Sequence, residues 1–274
     1  MKLALVLLIP FFLLASCNNQ FNKVLKSTDY EYKLKKADEY YANKKYKNAE
    51  ALYIELFPVF KGSDKFEELY YKYAYCSFYQ KNYLDAENLF KGFLGVFPNS
   101  PKAEEIAYLH AFTFYKQSPK VELDQANTSK AIGMMQSFIN TYPNSTRLVE
   151  ANDIIAKCRE KLEEKDYKAA QLYYNISQYR AAGITFSNLL NSYPESIKGD
   201  EYLLMAMKSN FQFAKLSMSD KQEERYGKVV AEYFDFADRY PESKLLKEAE
   251  NYKNLSQNNI KQIQNEQTKA ATNS

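Results

Sequence analysis

The chain has 274 residues, 46% of them apolar and 26% charged, with a formal net charge of +3. Seven Gly and eight Pro exclude a collagen-like or linker-like chain, three Cys exclude a disulfide framework, and the near-neutral charge leaves no footprint for nucleic acid. The 25 Tyr and 18 Phe stand against no Trp and one His, so the fold consumes aromatic rings without supplying the imidazoles of an ordinary active site.

The first element is a leader. Met1-Lys2 precedes an apolar run from Leu3 to Leu14 and the sequence Leu14-Ala15-Ser16-Cys17. The run is too short to span a ~30 Å hydrocarbon core as a helix, and the basic start, apolar stretch and small residues make a secretory signal. The ending resembles a bacterial lipobox, in which the Cys17 thiol is acylated and becomes the new N-terminus; a plain signal peptide with an incidental Cys is the bland alternative. Residues 1–16 are therefore predicted as a lipoprotein signal peptide, and 17–27 as a lipidated Cys and polar tether. Asn18, Asn19 and Gln20 after the Cys are compatible with sorting to the outer membrane.

From residue 28 the chain repeats. Thr28-Asp-Tyr-Glu31 reads as a capping box opening the first helix. Five segments then align: Ala49-x3-Tyr53-x6-Phe60, Ala86-x3-Phe90-x6-Phe97, Ala131-x3-Met135-x6-Tyr142, Ala182-x3-Phe186-x6-Tyr193 and Val229-x3-Tyr233-x6-Tyr240. The last four close on aromatic-Pro-Asn/Glu-Ser, and the terminal aromatics of all five lie 37, 45, 51 and 47 residues apart. A small residue and an aromatic four later share one helix face, so the ring fills the space above a close helix crossing. Aromatic-Pro stops the helix, and the following Ser, as in Ser100-Pro101, is predicted to cap the next one. With amphipathic stretches between the segments, the pattern predicts an all-α fold: an α-solenoid of five tetratricopeptide-like helix hairpins, curved.

Two irregularities follow in order. Gln117-Ser-Pro-Lys-Val-Glu-Leu-Asp124-Gln125 is a longer loop than a hairpin needs, which suits a binding rim, although Asp124 or Thr128 could simply cap the next helix. From 145 to 175 there is no Pro or Gly, which predicts one long helix joining two halves. Cys76 and Cys158 fall in helical patterns two repeats apart, and two buried thiols are favoured over a bridge. The polar segment after Ser256 reads as a fraying helix end followed by disorder. The predicted domains are 28–144 for repeats one to three, 145–258 for the long helix and repeats four and five, and 259–274 for a disordered tail.

No constellation in the chain carries catalysis. His110 sits among Leu109, Ala111 and Phe112 as a packed residue, with no second His for a metal. The doublets Glu67-Glu68, Glu104-Glu105 and Glu163-Glu164 are adjacent, so they cannot share one helix face as a catalytic pair would; they read as solvated surface. Helix-hairpin repeats instead offer an inner surface formed by the first helix of each pair. Its candidate binding residues are Tyr40, Tyr41, Tyr71, Tyr75, Tyr79, Tyr108, Phe112 and Tyr115, with Pro119, Asp124 and Gln125 at the rim. Packing between helices competes with ligand contact for each of these rings.

The lipobox, the five repeats, the aromatic-Pro-Asn-Ser closures at 97–100 and 142–145, and the Gln-Ser-Pro…Asp-Gln…Thr-x2-Ala segment at 117–131 together resemble the BamD family, lipoproteins of the outer-membrane β-barrel assembly machinery. The resemblance covers the mature chain, departing in repeat one, where Phe60-Lys-Gly-Ser replaces aromatic-Pro and Pro58 comes two residues early. It implies a periplasmic scaffold anchored to the outer membrane through the lipid on Cys17, with no catalytic residues, metal or further cofactor. Repeats over about 28–142 would receive the aromatic-ended targeting strand of unfolded outer-membrane proteins. Repeats over about 178–258 would dock on POTRA domains of the β-barrel insertase, with accessory lipoproteins as further partners. The competing readings are a Tol–Pal-type adaptor lipoprotein, a glycan-binding surface lipoprotein, disfavoured by the lack of Trp, and a peptidoglycan lyase, for which no segment is left to fold a catalytic domain.

Overall fold

A computed structural model describes residues 20–272, with side chains through 269. The predicted signal peptide 1–16 and the lipidated Cys17 lie outside the described residues. Among those described, the chain is all-α and carries no strand. A short helix α1 covers 20–25. Then come α2 (Tyr30–Ala42), α3 (Tyr46–Phe60), α4 (Phe66–Tyr79), α5 (Tyr83–Val96), α6 (Ala103–Gln117) and α7 (Ala126–Thr141). They are followed by α8 (Leu148–Asn175), α9 (Tyr179–Ser192), α10 (Gly199–Lys215), α11 (Ser219–Arg239) and α12 (Leu246–Thr272). Helices α2 to α11 form five hairpins of the tetratricopeptide type. The chain divides into two compact units inside α8, between Arg159 and Glu160, rather than at the start of that helix.

Each hairpin is built from the stripe seen in the sequence. Ala49, Ala86, Ala131, Ala182 and Val229 are all 0% exposed, as are Tyr53, Phe90, Met135 and Phe186 four positions later. The deepest position that the sequence alignment passed over comes seven after the small residue: Leu56, Phe93, Phe138, Leu189 and Phe236 are all buried. In the first unit these residues join the cores around Phe90 and Tyr53; in the second they join those around Phe186 and Phe236. Cys76 and Cys158 are buried as thiols.

Three hairpin turns are the same. Lys44, Lys81 and Ser177, each two residues before the Tyr that opens a second helix, have φ of 58°, 65° and 61°. Around each, two backbone bonds close the end of the first helix, as in Lys45 N–H to Tyr40 O at 2.8 Å and Lys44 N–H to Tyr41 O at 2.9 Å. This is a Schellman stop with a side-chain-bearing residue in the left-handed position glycine usually takes.

Several local expectations need correction. Asp29, not Thr28, caps α2, its Oδ1 accepting from Tyr32 N–H at 2.9 Å. Ser100 accepts from Lys102 N–H at 3.0 Å, but α6 starts only at Ala103, so the serine caps the turn leading into the helix. Helix α3 runs through Pro58 to Phe60, with Pro58 forgoing the one N–H bond it would make to the carbonyl of Ile54; Gly62 at φ +87° then makes the turn. The tether is ordered in part: Val24 is 1% exposed, and the Lys33 ammonium donates to Leu25 O at 2.9 Å. Phe21, Val24 and Leu25 supply an i, i+3, i+4 apolar stripe that the reading as a polar linker overlooked.

The C-terminal segment stays helical to Thr272 where a disordered tail from 259 was expected. Tyr252, Ser256, Ile260 and Ile263 keep the 3–4 spacing of one covered face, and Gln264 Nε2 donates to Glu223 of α11 at 2.7 Å.

Fasteners join consecutive hairpins at a spacing close to one repeat. Ser100 Oγ donates to Glu67 at 2.7 Å, Ser196 Oγ to Glu163, and Ser243 Oγ to Asp200 at 2.6 Å. Lys65 pairs with Glu31 at 2.6 Å, Lys72 with Asp38 at 3.0 Å, and Lys102 with Glu68. Glu67, Glu68 and Glu163 are therefore inter-repeat joints and not idle solvated surface, whereas Glu164 pairs with Lys168 of its own helix.

Candidate functional site

The first helices of repeats one to three bring most of the candidate rings into one file within the first unit. Tyr41 meets Tyr46 edge-on at 5.8 Å between centroids, and Tyr46 stacks on Tyr79 at 4.6 Å. Tyr79 contacts Tyr75 at 5.5 Å, and Tyr75 contacts Tyr71 at 4.6 Å. Phe78 carries the file across to α6, lying 5.9 Å from Tyr79 and 6.2 Å from Phe112. Phe112 stacks on Tyr108 at 5.8 Å and meets Tyr115 at 5.8 Å. The i, i+4 spacing of Tyr71, Tyr75 and Tyr79 puts three rings on one stripe of α4, and Tyr108, Phe112 and Tyr115 do the same on α6.

Charge is arranged along this file. Glu105 of α6 accepts from Tyr71 at 3.1 Å and from Tyr75. The Lys102 ammonium pairs with Glu68 and sits 4.8 Å from the Tyr71 ring centroid, and Lys116 lies 4.9 Å from that of Phe112. The Arg147 guanidinium covers Tyr108 at 4.6 Å. Burial pushes the phenols of Tyr41, Tyr71 and Tyr79 upward, so each remains a neutral hydroxyl. Burial also acts to raise Glu68, but Lys102 and Lys72 outweigh it and hold that carboxylate below its ordinary value. Beside the file, a cleft of about 710 Å³ opens between α2 and α4, with Leu34 and Leu69 at its apolar base and Glu31, Asp38, Lys65 and Glu68 at its walls.

The structure sorts the candidates. Tyr79 is 46% exposed, and Tyr41, Tyr71, Phe112 and Tyr115 are half-buried, so each offers ring surface. Tyr75 and Tyr108 are buried, at 6% and 2% exposure, and belong to the core. Tyr40 leaves the file altogether and packs on Phe21 of α1 at 5.7 Å. Of the rim loop, Pro119 is half-buried and Asp124 exposed, its Oδ1 accepting from Ala126 N–H at 2.9 Å as a cap for α7. Gln125 is buried: its amide donates to Lys120 O at 2.7 Å and Leu123 O at 3.0 Å, while Thr128 Oγ1 donates to its Oε1 at 2.6 Å. It holds the loop together from inside and presents nothing to a ligand.

Tyr46 and Phe78 are the rings that sequence reasoning missed: only the stacking of Tyr46 on Tyr79 and the contact of Phe78 with Phe112 show that they complete the file. The arrangement suits capture of a polypeptide carrying aromatic or apolar side chains: rigid rings with hydroxyl tips, flanked by charges of both signs. Among the described residues no cluster of His, Cys, Asp and Glu could hold a metal ion, and no helix is long and apolar enough to cross a membrane.

Compared with known proteins, residues 28–226 match the model of a family described as YfiO, outer membrane lipoprotein. No curated protein matches the chain. The matched stretch begins just before α2 and ends within α11, so it contains the whole aromatic file.

Proposed function

The chain belongs to the YfiO family of outer membrane lipoproteins, and from that premise we propose that it is a non-catalytic scaffold of the β-barrel assembly complex on the periplasmic face of the outer membrane. The observation that carries the reading is the file from Tyr41 to Tyr115, in which exposed and half-buried rings of three successive hairpins form one polypeptide-sized aromatic track. In this reading the track receives the aromatic-ended strand of an unfolded outer-membrane protein. The hairpins of the second unit dock on the POTRA domains of the insertase, and acylation of Cys17 supplies the anchor. Binding to both partners at once raises the local concentration of client beside the insertase with no chemical step on the scaffold.

Affinity purification from native membranes in mild detergent tests the proposal. A β-barrel protein bearing POTRA domains should co-purify, and its absence from the recovered complex would overturn the assignment.

A further inference from the structure

Positive charge gathers at one end of the chain. Residues 20–47 contain eight Lys against four Asp and Glu, a net +4 where the whole sequence carries +3. The four carboxylates are engaged within the protein: Asp29 accepts from Tyr32 N–H, and Glu31, Asp38 and Glu39 pair with Lys65, Lys72 and Lys36. Lys23 of α1 and Lys44, Lys45 and Lys47 at the α2–α3 turn are exposed, and none has a carboxylate partner among the described residues.

Helix α1 ties this patch to the anchor. The Lys33 ammonium reaches Leu25 O at 2.9 Å while Phe21 packs on Tyr40 at 5.7 Å, so α1 runs antiparallel to α2 and starts towards the α2–α3 turn. Lys45 Nζ lies 6.0 Å from the centroid of that same Tyr40 ring. Only three peptide links join Cys17 to Gln20, and at no more than about 3.6 Å each they hold the start of α1 within about 11 Å of Cys17.

We propose that Lys23, Lys44, Lys45 and Lys47 form a membrane-facing patch that rests on the anionic phosphate headgroups of the bilayer holding the Cys17 acyl chains. The inference rests on the acylation of Cys17 in the proposed function and adds an electrostatic contact to it. Reach is the first argument: the attraction of an anionic surface fades over a Debye length of roughly 8–10 Å, which is the order of the tether. Complementarity is the second, because no carboxylate competes with a headgroup phosphate for these four ammonium groups. Together the acyl chains and the patch fix which edge of the first hairpin meets the bilayer. Lys45 and Lys47 flank Tyr46, so the aromatic file then begins at the membrane surface.

Sedimentation with vesicles tests the patch. The processed chain, residues 17–274 with Cys17→Ala, should co-sediment with phosphatidylethanolamine vesicles containing about 30% phosphatidylglycerol and be released as salt rises from about 0.1 M to about 0.5 M. It should not sediment with phosphatidylcholine vesicles. A lysine near an anionic surface strengthens binding about five-fold, so Lys44→Gln/Lys45→Gln/Lys47→Gln should weaken it about 100-fold. Lys244→Gln/Lys247→Gln/Lys261→Gln removes the same charge from the second unit and should change binding by less than about two-fold. If the first triple variant loses helix content by circular dichroism, Lys47→Gln alone should still show the loss of about five-fold. No binding to the anionic vesicles, equal binding to phosphatidylcholine, or equal losses in the two triple variants overturns the proposal. The assay contains no acyl group, so its failure leaves the anchor standing, whereas a native N-terminus without acyl mass in mass spectrometry removes the anchor alone.

Discussion

Glu105 on α6 accepts a hydrogen bond from Tyr71 on α4 at 3.1 Å, and its other oxygen takes the hydroxyl of Tyr75. One carboxylate therefore ties two rings of the aromatic file to the next repeat. Glu105→Ala should cost about 1–3 kcal/mol in urea denaturation, since the buried Tyr75 hydroxyl loses its acceptor. In a Tyr71→Phe/Tyr75→Phe background the same substitution should cost less than about 1 kcal/mol. Equal costs in the two backgrounds would mean that Glu105 acts through something other than these hydroxyls.

Binding should follow the exposed rings. Tyr79→Ala and Tyr46→Ala should each weaken binding of an aromatic-ended peptide by about five- to thirty-fold, equivalent to about 1–2 kcal/mol. Tyr40→Ala should leave the affinity unchanged, because that ring packs on Phe21. Fluorescence anisotropy with a labelled peptide distinguishes the two sets.

Glu232 on α11 sets a pH dependence. Asn210 donates to its Oε1 at 2.6 Å, its Oε2 is buried without a partner, and burial raises its pKa against the opposing pull of Lys228. The folded protein therefore holds this proton to a higher pH than the unfolded chain. The stability Glu232 contributes is complete below the unfolded carboxyl pKa and is lost as pH rises through the folded value. Glu232→Gln keeps an acceptor for Asn210 and removes the buried charge. Relative to wild type the variant should gain thermal stability between pH 4 and pH 8; a wild-type-to-variant difference that is flat over that range would contradict the assignment.

Lys81, at φ 65°, occupies a left-handed position that costs an L-residue roughly 1–2 kcal/mol. Lys81→Gly should relieve most of that, less the entropy glycine adds to the unfolded chain, for a net gain of about 0.5 kcal/mol. Lys81→Val, whose branched Cβ tolerates positive φ poorly, should lose about 1 kcal/mol or more. Differential scanning calorimetry of the pair should show midpoints on opposite sides of wild type.

The anchor has a direct test. Cys17→Ala should shift the protein from the membrane pellet to the soluble periplasmic fraction, since the remaining leader residues provide no second acyl site. Continued tight association with membranes would count against acylation at Cys17.

The helical hairpins and the stops at aromatic-Pro were legible in the sequence because their causes are local. A small residue and an aromatic four later define a face, aromatic-Pro ends a helix, and the unbroken run after Ser145 is visible as one long element. What stayed hidden depends on the neighbouring repeat. Tyr75 and Tyr79 share one stripe of α4, yet Tyr75 is 6% exposed and Tyr79 is 46% exposed; Phe90 of α5 and Glu105 of α6 both meet Tyr75. Glu67 and Glu163 look like solvated charges until the serine of the following closure arrives beside them. Asp124 resembles a binding residue as readily as a cap, and its bond to Ala126 N–H at the start of α7 becomes visible only in the structure. The helical reach to Thr272 went unseen because its glutamines and asparagines mask a sparse apolar face.

The fasteners also govern where the chain can lengthen. Glu31–Lys65, Asp38–Lys72 and Glu68–Lys102 are all 34 residues apart, although the aromatic closures are spaced unevenly. A residue inserted within α4 would rotate everything beyond it by about 100° and pull several of these joints out of register together. The same residue added at 120–123 falls in a loop outside any helix. From α2 to the turn before α6 the joints keep one pitch, while in the second unit the Asp200–Ser243 joint spans 43 residues, so the extra length there is taken up inside the joint itself.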